Sequence, residues 1–169
     1  MVEIVFRPPL VILLFAGGLV LVAVVSMFVK RGEPWRKITA LVIVVVAAVL
    51  FVVLVYRRTT LTVDETGLRT DGMNPIDLSW EDVQHAYFET NLPFSEYRPT
   101  VRTRGIAIGT YRTGRFLLSN GDSARVLLEQ SDQAIVLITG DLTYLFGPAD
   151  IDRLAHAVNE FRVIPDTAQ

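Results

Sequence analysis

Apolar and polar positions divide the chain into two regimes. Leu10 to Val29 and Ile38 to Tyr56 are uncharged and almost wholly apolar. Runs of about 20 apolar residues match the roughly 30 Å hydrocarbon thickness of a bilayer, and a helix pairs its own backbone groups there. The pattern therefore predicts two transmembrane spans, 10–29 and 38–56, joined by the loop Lys30–Lys37 into a helical hairpin over 1–58. Met1–Pro9 reads as a short lead. Its Pro8 and Pro9 suit the first turn of a helix.

From Thr60 the period changes to short strands and turns. Strands are expected at Leu61–Val63, Leu68–Thr70, Leu78–Val83 (ending in a helical turn) and His85–Thr90. Val101–Gly114 is less regular. Arg115–Ser119 and Ala124–Glu129 flank Asn120–Gly121, the strongest short hairpin signal. Ala134–Thr139 is a nearly continuous apolar strand, and Leu142–Phe146 closes the meander. A helix over 148–163 follows, because Ile151, Leu154, Ala155, Val158 and Phe161 fall on one stripe. These elements predict a domain over 59–164, with 165–169 as a tail. It is a bent antiparallel sheet of about seven strands capped by the C-terminal helix. An open sheet packed on a helix and a small barrel are the other arrangements.

Composition sharpens this picture. The 169 residues carry a formal charge of −2, and from Thr59 onward nine Arg stand against sixteen Asp and Glu, a net of −7. Such a balance disfavours nucleic acid as a partner. There is no cysteine, which excludes disulfides, thiolate metal sites and cysteine nucleophiles. Glu3, Arg7 and the length of the first apolar run favour a retained anchor over a cleaved signal peptide. Lys30, Arg31, Arg36 and Lys37 in the loop nearly balance Arg7, Arg57 and Arg58, so charge leaves the orientation open. Trp35 and Tyr56 suit an interfacial aromatic belt. Gly17 and Gly18 would let a second helix approach closely.

Gly109–Phe116, Leu118–Gly121, Ala124–Val126 and Thr143–Pro148, leading into the last helix, carry a family resemblance. The chain resembles the membrane-associated bacterial pleckstrin-homology (PH)-like proteins over roughly Leu61–Val163. The resemblance implies a PH-type roll with a C-terminal helix, membrane helices before it, and a cytoplasmic domain. It implies no catalytic residues.

Candidate chemistry concentrates in Tyr97–Gly121. This stretch holds Arg98, Arg102, Arg104, Arg112 and Arg115 and no acidic residue. Arg binds phosphate and carboxylate bidentately, so the five are candidates for an acidic ligand or a lipid headgroup. The competing reading pairs them with neighbouring carboxylates. Gly105, Gly109 and Gly114 mark either bends or a close approach.

His85 and His156 are too few for a metal site of three or four ligands. Ser79, Asp82 and His85 lack a nucleophile elbow. Asp64–Glu65 and Glu81–Asp82 read as solvated strand ends and a helix start, and Trp80 as core. No phosphate loop or dinucleotide fingerprint is present, so no cofactor or catalytic group is expected. The function expected is an integral-membrane, non-enzymatic module that binds a protein partner or self-associates at the bilayer. Anionic-headgroup sensing is the alternative, and a membrane-bound enzyme the remote one.

Overall fold

The computed structural model describes residues 1–6, 34–55, 59–72 and 74–161, with isolated positions at 14, 17–18 and 20–22. Two compact units result. One is Met1–Arg7 with Arg58–Gln169, and the other is Pro8–Arg57.

In the second unit, helix α1 spans Pro34–Val55. It begins four residues before the expected second span and takes in Trp35, Arg36 and Lys37. Val42, Ile43, Val46, Val49, Leu50 and Val53 are exposed along it. The expected first span lies almost wholly outside the described residues. The expectation of an integral membrane protein with two spans is overturned, because among the described residues no helix is long and apolar enough to cross a membrane.

The first unit opens with a strand that the sequence reading treated as a lead. β1 (Val2–Phe6) alternates, with Ile4 and Phe6 buried and Glu3 and Val5 exposed. It pairs antiparallel with β2 (Thr59–Val63), Phe6 opposite Thr59 and Val2 opposite Val63. β3 (Gly67–Thr70) and β4 (Ile76–Ser79) complete a four-stranded sheet in the order β1-β2-β3-β4. The turn between β2 and β3 is fixed by Asp64. Its carboxylate accepts from the Thr66 N–H at 2.8 Å, the Thr66 hydroxyl at 2.6 Å and the Gly67 N–H at 3.1 Å. Those bonds, the Thr66 hydroxyl's foremost, hold the carboxyl below its ordinary pKa.

A second sheet has six strands. They are β5 (His85–Glu89), β6 (Pro99–Ile108), β7 (Tyr111–Leu118), β8 (Ser123–Leu128), β9 (Ala134–Ile138) and β10 (Thr143–Gly147), in the order β5-β9-β10-β8-β7-β6. The expectation of about seven antiparallel strands closing as a meander is corrected here. β10 does not lie at an edge but inserts between β9 and β8, parallel to β8. The apolar runs require this. Ala134, Ile135, Val136 and Leu137 are all buried, as are Val126, Leu127, Leu128, Leu145 and Phe146. Strands apolar on both faces belong inside a sheet.

Each face of that sheet has its own core. Leu127, Ile135, Leu137 and Phe146 join the apolar face of the four-stranded sheet and Leu154, Ala157 and Val158. Val126, Leu128, Ala134, Val136 and Leu145 face the other way, onto Leu92, Phe116 and Leu118, with Tyr87 and Tyr97 packed against them.

The last helix, α2, spans Ile151–Asn159 rather than 148–163. Asp150 caps it by accepting from the Arg153 N–H, so Pro148 stands before the cap. Ala157 is buried in the stripe, where Ala155 was expected. Residues 162–169, the end of the expected helix and the tail, lie outside the described residues. Trp80 packs on the first core, stacks on Phe161 at 6.3 Å, and donates its indole N–H to the Asp64 carbonyl at 2.8 Å.

Candidate functional site

The five arginines of 97–121 do not share one surface. Arg98 is exposed in the loop before β6 and donates to the Pro93 carbonyl at 3.3 Å. It borders an open depression of about 350 Å³ with Phe94, Glu96 and Ser119. The other four lie on β6 and β7, whose register assigns them to faces. Directly opposed positions of an antiparallel pair share a face.

Arg102 is opposite Phe116, and Arg112 is opposite Leu128. Both therefore lie on the face of the second core. Arg112 is half-buried there and donates to the Pro99 carbonyl at 2.9 Å. Arg104 is opposite Arg115, and Arg115 is opposite Arg125 of β8. Arg125 shares its face with Leu127 of the first core. Three arginines thus form one cross-strand row on β6, β7 and β8. Beyond it, Tyr144 of β10 stands opposite Arg125.

Arg125 escaped the sequence reading because it lies outside the acid-free stretch. A signal for it existed in the Asn120–Gly121 turn, but the register was one residue off. A two-residue loop there would pair Arg115 with Val126. In the structure Leu118 N–H donates to the Asp122 carbonyl at 2.9 Å, Gly121 N–H donates to the Leu118 carbonyl at 3.1 Å, and Gly121 has φ 90°. That longer loop, with glycine in the left-handed region, sets Arg115 against Arg125.

The electrostatic setting is uncompensated. Among the described residues, the ion pairs within 4.0 Å are Arg69–Asp77 and His156–Glu160. None of the five arginines, nor Arg125, takes part in one. The pairing with neighbouring carboxylates that the sequence allowed is therefore not seen among them.

β6 is bulged twice, between Pro99 and Val101 and between Arg102 and Arg104. The hydroxyls of Thr100 and Thr103 donate to the Leu117 and Arg115 carbonyls, each at 3.0 Å. Gly105 and Gly114 face each other with φ 122° and 125°. A Cβ on either would lie about 2 Å from the other strand's backbone carbonyl oxygen. The close approach is made by the partner strand.

The remaining candidates are dispersed. His156 is exposed on α2, 4.0 Å from Glu160. His85 stacks on Tyr87 at 6.0 Å, and Tyr87 stacks on Tyr97 at 6.3 Å. Burial, and then the Glu96 carboxylate, push the Tyr97 phenol up to about 12. Burial also raises the Tyr111 phenol. The Ser79 hydroxyl accepts from the Glu81 N–H at 3.3 Å, shaping a turn where the sequence suggested a helical one. No group of three or more metal-ligating side chains assembles among the described residues.

Comparison with known proteins bears on the fold. The model of the Bacterial PH domain family matches residues 76–161, from β4 through α2. No curated protein and no solved structure matches the chain. The family match includes neither expected span, so the membrane-associated part of the resemblance gains no support from it. It does cover the hairpin strands, the inserted β10 and the closing helix, which together make a mainly β, PH-like roll. The matched segment is 86 residues, just over half of the 169, and on that ground the chain belongs to the bacterial PH domain family.

Proposed function

We propose that the protein is a non-enzymatic PH-type binding module whose partner is an acidic protein, docked on the ribbon of β6 and β7. One observation carries this reading. Residues 100–105 of β6 are exposed on both faces, and the arginines of the ribbon have no carboxylate within 4.0 Å among the described residues. The domain around them is acidic. A cationic ribbon on an acidic body selects acidic partners and speeds their encounter. A second copy is a poorer occupant of the β6 edge, because it would bring Arg102 and Arg104 against their own kind.

Poly-glutamate is the test ligand, titrated against the full chain by fluorescence anisotropy. Binding is expected, weakening as salt rises and lost in the double variant Arg102→Glu/Arg104→Glu. Arg153→Glu on α2 leaves it unchanged. Binding that ignores both salt and the double variant defeats the proposal.

A further inference from the structure

We infer that the acidic partner presents a helix with a stripe of carboxylates, laid across the strands on Arg104, Arg115 and Arg125; this rests on the acidic-partner reading above. Like charges directly opposed across strands are destabilising. Here the opposition occurs twice in succession, Arg104 to Arg115 and Arg115 to Arg125. An anionic ligand along the row converts that repulsion into binding. Each guanidinium offers a planar fork that matches a carboxylate. Arg125 is held ready, since one of its nitrogens donates to the Pro75 carbonyl at 3.0 Å.

Geometry distinguishes a helix from an added strand. The edge of β6 is bulged twice and holds Gly105 at φ 122°. Those are features that turn an edge away from regular pairing. The row runs across the strands instead, stepping about 4.8 Å from one to the next. Residues four apart on a helix face are about 5–6 Å apart at Cβ. Alternate residues of a strand are about 6.6 Å apart. A helix therefore stays closer to the row's spacing than a strand does.

The experiment uses the full chain in mild detergent, because α1 exposes Val42, Ile43 and Val46. The probes are two alanine-rich helical peptides of identical composition. One has Glu at every fourth position in a single stripe, and the other has the same Glu residues spread around the helix. The striped peptide is expected to bind about tenfold tighter. Arg115→Glu abolishes that preference and weakens binding about tenfold or more. Arg102→Glu, on the opposite face, weakens it less than Arg115→Glu does. Thermal melting of Arg115→Glu and Arg115→Gln checks the fold, and neither should melt below the parent.

Equal binding of the two peptides overturns the helix-on-row inference and leaves the acidic-partner reading standing. So does an Arg102→Glu loss as large as that of Arg115→Glu. If neither peptide nor poly-glutamate binds, while vesicles containing anionic phospholipid do, both fall together.

Discussion

In β9, Ala134, Ile135, Val136 and Leu137 are buried on both faces. In β6, across the same sheet, residues 100–105 are exposed on both. The two strands differ in what their sequences give the neighbouring layers. Ala-Ile-Val-Leu supplies two cores at once, one toward α2 and the four-stranded sheet and one toward Leu92 and Tyr97. Thr-Val-Arg-Thr-Arg-Gly supplies none and carries charge on either side. Membership of one hydrogen-bonded sheet therefore says little about role. One strand secures the domain, and the other presents a surface.

The contrast is open to attack from both ends. Leu137→Ala should cost about 2–5 kcal/mol, because it leaves a cavity where both layers meet. Urea unfolding measures this, and a loss no larger than that of Thr103→Ala on β6 would erase the distinction. Gly114→Ala should come next, at about 1–3 kcal/mol, since it forces an L side chain to positive φ against the facing strand. The same unfolding series reads it out.

Arg115→Gln has the opposite sign. Removing the middle charge relieves two like-charge contacts, so stability should rise by about 0.2–1 kcal/mol while binding of acidic peptide falls. A stability loss there would mean that the row contributes to folding. The smallest effect is alkaline. Tyr97 is protonated up to about 12 in the folded protein, whereas an unfolded tyrosine titrates near 10. Between those values the unfolded chain releases a proton that the folded one keeps, so stability falls as pH rises through that window. Below it this contribution is constant. Tyr97 is only half-buried, and solvent limits the size. Tyr97→Phe should flatten part of the decline in alkaline melting curves.

What the sequence disclosed follows the same division. β9, α2 and the β7–β8 hairpin were legible because burial on one or both faces writes a strong period into the residues. β1 has that period too, with Ile4 and Phe6 inward. Five residues before a long apolar run were nevertheless read as its lead. The insertion of β10 beside β8 was not legible, since an apolar run marks a strand as interior without naming the strands that flank it. The arginine row was missed by a single register step at Gly121, and such a step reassigns every side chain to the other face. The two-span expectation rested on hydropathy and on the resemblance, and among the described residues the helices do not bear it out.

The pairing of Phe6 with Thr59 has a consequence for the chain's engineering. Residues 7–58 leave and rejoin the β unit at facing positions, a separation of about 5 Å. A detour that begins and ends at one rung can lengthen, shorten or be exchanged without altering the ladder on either side, since loop closure grows only slowly more costly with length. Splicing Asn-Gly between Phe6 and Thr59 would turn β1 and β2 into an ordinary hairpin. The segment between them is thus a guest on a host whose wiring is already complete.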